Sequence, residues 1–411
     1  MLSAMGGNSP QSFVNSLAAR IQAGDIESAA VVGAETIWSR RRQRAAGTKV
    51  LYTIQKDETP DERFGADVTM GTDFEESRGI AQPINHYPIF ESAIRHHRGE
   101  SLDEHRTRIA TIWARFNEVA RDNPYAWSPA PMDANQIRTA SPDNRMVGFP
   151  YTKAMNSNWD LDQGAALLLC SVGKARELGI AESRWVFPLA GTDAHDTYAV
   201  SERRDLYSSP AIAEAGRVLF ELSGHTASEV THLDLYSCFP SAVQVAASEL
   251  GFSEDRQLTV TGGLPFAGGP LNNYVTHSIA AMVDVLRADP GSLGMVTANG
   301  GFLTKHALAL YSTTPPPHGF KHQDVQAAVD LIPAKPVAPE YVGPGTIEAY
   351  TVMHDKTGPE FALAAILTPD DARTWGRSED SATMSALLET EQIGAAVELA
   401  ADGSFVLSVQ R

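Results

Sequence analysis

Residues 261–306 read TGGLPFAGGPLNNYVTHSIAAMVDVLRADPGSLGMVTANGGFLTKH. The glycine pairs Gly262-Gly263 and Gly268-Gly269 predict a loop, and Pro270 to Asn273 opens a long helix. A turn at Asp289-Pro290-Gly291 then leads to a buried strand from Gly294 to Thr297, which ends in Asn299-Gly300-Gly301. The chain begins with a second unit of the same order. Gly6-Gly7-Asn8-Ser9-Pro10 starts a helix through Ile21, with Phe13, Leu17, Ala18 and Ile21 at helical spacing. A turn at Gly24-Asp25 feeds the apolar strand Ala29 to Gly33. Two loop–helix–turn–strand units of similar length predict an internally duplicated α/β fold. In each, glycines stand where backbone must approach something closely, and a helix N-terminus faces the same place.

Outward from these units, residues 1–36 and 159–185 form the expected first half, and 186–313 the second. The run Asp162 to Cys170 has no polar alternation, so it and Ala29 to Gly33 are expected as parallel strands covered on both faces. A strand Trp185 to Leu189 is expected to run into a loop at Gly191 to Asp196. Residues 37–158 read as a loop and helix insertion over the sheet, with one helical stretch from Tyr87 to Asn123. The prolines of 314–344 predict a linker around a short helix near Val325 to Leu331. From 345 to 411, alternating segments such as Thr346 to Val352, Phe361 to Leu367 and Ser404 to Val409 predict a small barrel of the oligonucleotide/oligosaccharide-binding (OB) type.

Composition narrows the function. A chain of 411 residues with 43% hydrophobic residues can bury a large core, and a formal charge of −17 argues against nucleic acid as a partner. Cys170 and Cys238 are the only cysteines. They give no disulfide framework and no metal site, and they fit a reducing, cytoplasmic setting. No apolar run approaches the length of a membrane span. Gly-x-Gly-x-x-Gly after the first strand, a phosphate loop, His-Glu-x-x-His and Gly-x-Ser-x-Gly are all absent.

The duplicated units, Asp234-Leu235-Tyr236-Ser237-Cys238-Phe239-Pro240, the paired glycines ending in Gly268-Gly269-Pro270, and Asn299-Gly300-Gly301 resemble the thiolase superfamily in order and spacing. Within it, the chain resembles bacterial proteins named acetyl-CoA acetyltransferase and grouped as thiolase-like proteins with an additional C-terminal domain. The resemblance implies duplicated αβαβα layers, coenzyme A thioesters as ligand or substrate, no covalently bound cofactor, and a homodimer or partner subunit. Only Met1 to Met5 precede Gly6, where the family has a strand–helix–strand portion. Either the reading frame starts late, or the first half is incomplete, in which case its sheet lacks strands and its unpaired edge would need covering by a partner chain.

Carried over by position, the family's nucleophilic cysteine falls on Gly7, its Asn or His on Tyr236, its activating histidine on Gly269 and its second cysteine on Asn299. The resemblance therefore implies acyl-CoA chemistry without an acyl-cysteine. Cys170 reads as core and Cys238 as a packing position beside Tyr236. Tyr236 is expected either to donate to a thioester oxygen, to act as acid/base with a lowered pKa, or to plug the vacated space. Thiolase-fold aldol lyases of steroid side-chain CoA thioesters also carry a Tyr in this segment, which implies cysteine-free carbon–carbon cleavage. His306 after Lys305, and His195 between Asp193 and Asp196, are further catalytic candidates or structural histidines. Gly268, Gly269, Lys153 and Arg41, in the run Arg40 to Arg44, are candidates for holding coenzyme A, the two cations being otherwise surface charge. The alternative to an acyltransferase is a non-catalytic acyl-CoA-binding or scaffold subunit in lipid or steroid metabolism.

Overall fold

Leu293–Gly300 is buried at every position, as an apolar strand in the centre of a covered sheet must be. In the computed structural model, which describes residues 1–51 and 59–408, it is paired on both sides. The sheet has the order Lys321–Asp324, Phe187–His195, Lys305–Ser312, Leu293–Gly300, His232–Asp234. Lys305–Ser312 runs antiparallel to both neighbours, while the two edge strands are parallel to theirs. Two sequence readings change here. Phe187–His195 continues past Leu189 through the expected loop, because its far end pairs with Lys305 to Leu308. Lys321–Asp324, within the expected linker, closes one side of the sheet.

The helices Ser9–Ala23 and Tyr274–Ala288, one from each duplicated unit, lie between this sheet and a second one. The second sheet holds only Ser28–Thr36 and Asp162–Cys170, and they pair antiparallel rather than as the expected covered parallel strands. Their burial alternates, with Val32 72% and Leu168 66% exposed. One face packs on the two helices; the other carries apolar side chains that nothing in the described chain covers. An unbroken apolar run thus reported composition, not burial on both faces. Cys170, expected as core, is half-buried.

The insertion contains two helices where the sequence suggested one. Pro83–Arg98 stops at Gly99, which takes a left-handed φ of 68°, and Leu102–Asp122 starts afresh. Ser101 and Glu104 form a reciprocal capping box there. The C-terminal unit begins with Gly343–His354, followed by Pro359–Leu367 and Arg373–Ser378, the helix Ser381–Glu389, then Ala396–Leu399 and Phe405–Leu407. Its strands pair antiparallel in the order third, second, first, fourth, fifth, and Arg377 bridges in parallel to Ser404. Val409, at the end of an expected segment, and the rest of 409–411 lie outside the described residues. Buried arginines fasten this unit to the body. Arg373 is held by Glu348 and donates to the carbonyls of Ser201 (2.8 Å) and Arg203 (2.6 Å), while Arg95 reaches Glu391 (2.8 Å) and Tyr350 (3.1 Å).

A buried charge cluster joins the insertion helices to the helix Pro240–Leu250. His105, wholly buried, is 2.5 Å from Glu91 and 2.7 Å from Glu100. Glu91 also accepts from Gln244 (2.6 Å) and Tyr151. Burial alone would raise Glu91, but these donors hold it below its ordinary 4.5. Burial likewise opposes a charged His105, and the carboxylates outweigh it, lifting His105 above its ordinary 6.5. The imidazolium therefore stabilises the fold fully below pH 6.5 and loses that effect as pH rises through its raised value. Glu91 contributes above pH 4.5 and loses its effect as pH falls through its depressed value. Replacing His105 by Gln strands a buried carboxylate, which costs about 3–5 kcal/mol. The gap in urea midpoint between wild type and His105→Gln is expected to be wide near about pH 5.5 and to narrow by about pH 9. A gap independent of pH would show that His105 is not charged in the fold.

Candidate active site

The site is assembled where His232–Asp234 ends. Asp234, fully buried, accepts from the Thr259 hydroxyl (2.9 Å), the Thr261 hydroxyl (3.0 Å), the amides of Val260 (3.0 Å) and Thr261 (3.1 Å), the Tyr274 phenol (3.0 Å) and Ser278. Burial still lifts its pKa, although the bonds from Ser278, the Val260 amide, Thr259 and Thr261 work against the lift. The loop it grips turns at Gly262 and Gly263, with φ of 98° and 78°. Only glycine adopts these values without strain. Leu264 then donates to Ser237 (3.2 Å), bringing the loop beside the segment that carries Tyr236. The same stretch reaches the first unit: Gly6 donates to Asn272 (3.2 Å), and Asn273 donates to the Gly33 carbonyl (2.6 Å).

Between these elements lies a cavity of about 1530 Å³. Gly7, Tyr236, Gly269 and Asn299, which are far apart in sequence, all line it, as do Arg41 and Lys153. The helices Ser9–Ala23, Pro240–Leu250 and Tyr274–Ala288 all begin at its wall, where Gly7, Phe239 and Asn272 lie. Their positive ends make the buried end of the cavity hospitable to a carbonyl or anionic oxygen.

At that buried end every ionisable group is neutral. A Cβ on residue 7 would stand 2.6 Å from the Tyr236 hydroxyl and closer still to the Asn299 carbonyl, so Gly7 is required by what occupies the space above it. Tyr236 is held by its amide on Thr297 (2.9 Å) and by an edge contact with Tyr274. Among the described residues its hydroxyl makes no hydrogen bond, which leaves a donor at the cavity. Burial, then the neighbouring Cys238, pushes its pKa up. That direction is opposite to the lowered pKa an acid/base role would need. Burial also pushes Cys238 up to about 12, so it stands as a thiol, with the Asn299 amide 3.8 Å from its sulfur. Cys238 is not only a packing residue, since it lines the cavity.

Tyr87 is the residue that the sequence did not single out. It sits on Pro83–Arg98, stacks on Phe239 at 4.3 Å, and its phenol oxygen accepts from the Asn299 side chain (3.0 Å) and the Leu303 amide (2.9 Å). Asn299 thus has its amide group fixed, while its Oδ1 is buried without a partner. Burial, with Cys238 nearby, holds the Tyr87 phenol well above its ordinary value. Nothing in the local sequence marks Tyr87, because only the fold brings residue 87 to residue 299.

The other candidates lie elsewhere. His306 is buried, its Nε2 3.4 Å from Asp196 and 3.5 Å from Ser209. His195, paired across the sheet with Lys305, faces Tyr198 and bonds the Asp196 carbonyl (2.9 Å). Neither lines the large cavity; His306, paired with Asn299 and so on the same face of the sheet, lines a small pocket beside Asn299 and Tyr236 instead. Gly268 is packed toward Gln163 and Leu161, whereas its neighbour Gly269 reaches the cavity and donates to the Asn158 carbonyl (2.8 Å). Among the described residues no cluster of His, Cys, Asp and Glu could hold a metal ion, and no helix is long and apolar enough to cross a membrane.

Comparison with known proteins agrees with this architecture. Residues 324–404 match the family described as the thiolase-like protein type 1 additional C-terminal domain. An acetyl-CoA acetyltransferase of Methanothermobacter thermautotrophicus is 24% identical over 292 residues, covering 65% of this chain and 72% of that protein. The crystal structure of a monomeric SCP2-thiolase-like protein type 1 from Mycobacterium smegmatis aligns with a TM-score of 0.84 at 30% identity, covering 98% of this chain and 83% of that one. A solved Ltp2–ChsH2(DUF35) aldolase shares the fold, with a TM-score of 0.57 at 18% identity over 75% of this chain and 78% of its own. Duplicated units on one buried sheet, four converging positions of the family's site and these likenesses lead to one conclusion: the chain belongs to the thiolase superfamily.

Proposed function

We propose that the chain binds an acyl-CoA thioester in this cavity, with the thioester carbonyl at the Tyr236 hydroxyl, and that it forms no acyl-cysteine. One observation carries the reading. The buried end is lined by Tyr236, Tyr87, Cys238 and Asn299, all protonated or neutral, and among the described lining residues none is histidine. Such a floor donates hydrogen bonds to a carbonyl but offers neither a nucleophile nor a base. The volume suits a ligand larger than an ordinary drug-sized molecule, for which sites span roughly 300–1,000 Å³. Kinship with an acetyl-CoA acetyltransferase supplies the ligand class. In the C-terminal unit, the five-strand order and the helix after the third strand support the OB-type barrel reading.

A second reading, acyl transfer or retro-aldol cleavage without a covalent cysteine, is favoured by Asn299. Its unpaired Oδ1 is an acceptor for a substrate hydroxyl close to the Tyr236 donor, and a resemblance to an aldolase points the same way. Such cleavage also needs a proton acceptor that the buried end does not supply, so the cavity's water or a partner would provide it.

Calorimetry with CoA and acetyl-CoA, together with a screen for released CoA or carbonyl product across acyl and 3-hydroxyacyl thioesters, separates the two. Binding without turnover supports the first reading, turnover supports the second, and absence of binding defeats both. Tyr236→Phe is expected to weaken acetyl-CoA binding by about three- to ten-fold, the value of one hydrogen bond. Unchanged affinity would assign Tyr236 a space-filling role. Cys238→Ala is expected to leave any turnover of CoA thioesters intact, and iodoacetamide is expected to label Cys238 slowly at neutral pH. Loss of turnover in that variant, with binding retained, would return the chemistry to the thiol.

A further inference from the structure

Tyr87 is held from behind as well as from the cavity side. Pro88, the next residue of Pro83–Arg98, has no backbone N–H to give its helix, so this turn is weaker than its neighbours. Two side chains from elsewhere reinforce it. The Tyr87 carbonyl lies 3.1 Å from the Ser241 hydroxyl, at the start of Pro240–Leu250, and 3.3 Å from the Tyr151 phenol. Tyr151 also donates to Glu91 and accepts from the Ser241 amide (3.2 Å). A hydroxyl has one proton, and the charged carboxylate is the strongest acceptor in reach of Tyr151. The Tyr151 proton therefore goes to Glu91, and the Ser241 proton is left for the Tyr87 carbonyl. Phe239 completes the packing, its ring stacked on those of both Tyr87 (4.3 Å) and Tyr151 (5.8 Å). Glu91, Tyr151 and Ser241 are wholly buried, and none of them lines the cavity.

At its other end the Tyr87 phenol clamps a strained turn. Leu303, whose amide it accepts, has a φ of 57°, a left-handed value that a leucine rarely adopts. That turn joins Leu293–Gly300 to Lys305–Ser312 and follows closely on Asn299, whose side chain donates to the same phenol. Backbone strain of this kind persists only where the surroundings over-determine it. We propose that Tyr151 and Ser241 are positioning residues for the cavity floor. From the buried Glu91 carboxylate, through the Tyr151 phenol and the Ser241 amide and hydroxyl, they fix the Tyr87 carbonyl, and the Tyr87 phenol then holds Leu303 and Asn299 in place. These contacts act in series and not as independent supports. In taking acetyl-CoA as its ligand the inference rests on the acyl-CoA reading, whereas the coupling from Tyr151 to Leu303 is a property of the free protein.

Amide hydrogen exchange on the free, full chain reads the coupling at Leu303, and calorimetry with acetyl-CoA reads its consequence. Tyr151→Phe, which keeps the ring, and Ser241→Ala are each expected to lower the protection of the Leu303 amide by about five- to ten-fold, the value of one hydrogen bond, with the amides of Met295 and Val296 unchanged. Both variants are expected to weaken acetyl-CoA binding by about the same factor. Because the contacts are in series, the double variant is expected to lose no more than the worse single one. Unchanged protection of Leu303, an equal loss at Met295 and Val296, or losses that multiply in the double variant would overturn the proposal. So would full affinity for acetyl-CoA in a variant that has lost the protection of Leu303. Selective loss at Leu303 in a protein that binds no acetyl-CoA would uphold the coupling and remove the acyl-CoA reading alone.

Discussion

A carboxylate withdrawn from water, Asp234, is the constraint on which the site depends. Removing such a group from solvent costs several kcal/mol even after relaxation, so it persists only where donors surround it. Here six do, from the 259–261 segment and from the helix Tyr274–Ala288. Because Asp234 ends a strand of the central sheet, those bonds tie loop, helix and sheet at one point. Tyr236, two residues on, inherits its position from that knot, and the same ring of donors presses Tyr274 against it. Gly262 and Gly263 complete the arrangement, since the loop can return to Ser237 only through two left-handed residues.

Position 7 is crowded from two sides. A Cβ there would meet the Asn299 backbone carbonyl and, at 2.6 Å, the Tyr236 phenol oxygen, so both the strand end and the tyrosine keep it a glycine. The rest of the floor is consistent with this. With no thiolate to stabilise, a histidine at Gly269 would have no proton to take, and Cys238 is left in surroundings that keep it protonated. Tyr87 and Asn299 bond each other and thereby set the remaining free acceptor, Oδ1 of Asn299. The buried end of the cavity is thus a wall of hydrogen-bonding groups, Tyr236, Tyr87, Cys238 and Asn299.

Much of the fold was legible in the sequence because its signals are local. Gly6 to Ile21 and Pro270 onward announced two helices, and the structure gives Ser9–Ala23 and Tyr274–Ala288. Where the reading failed, the deciding interaction was distant. Phe187–His195 is lengthened by a partner more than a hundred positions away, and the pairing of Ser28–Thr36 with Asp162–Cys170 was hidden because apolar alternation cannot be seen when both faces are apolar. Gly99 and the Ser101–Glu104 capping box mark the break in the insertion helix within the sequence itself. Of the candidate residues, those placed by the family's spacing, Gly7, Tyr236, Gly269 and Asn299, share one cavity. Those proposed from residue chemistry alone, His195 and His306, do not: His195 bonds the Asp196 carbonyl, and His306 is packed against Asp196 and Ser209.

The two halves of the fold are unequal, yet the site is intact, and the reason lies in where its anchors are. The second half supplies a five-stranded sheet with a fully buried middle strand, while the first supplies two strands open on one face. Tyr236, Cys238 and Asn299 all hang from the larger sheet or from the segments that leave it. What the first half contributes, Gly7, comes from a loop that is clamped to the second by the Gly6 bond to Asn272, and its strand is clamped by the bond from Asn273 to Gly33. Tyr87 arrives from the insertion, whose helices are secured by the buried His105 cluster and, through Arg95, by the C-terminal unit. The first sheet's own strands carry none of these floor residues. The geometry of the cavity floor therefore rests on the second sheet and the insertion, independently of that open face.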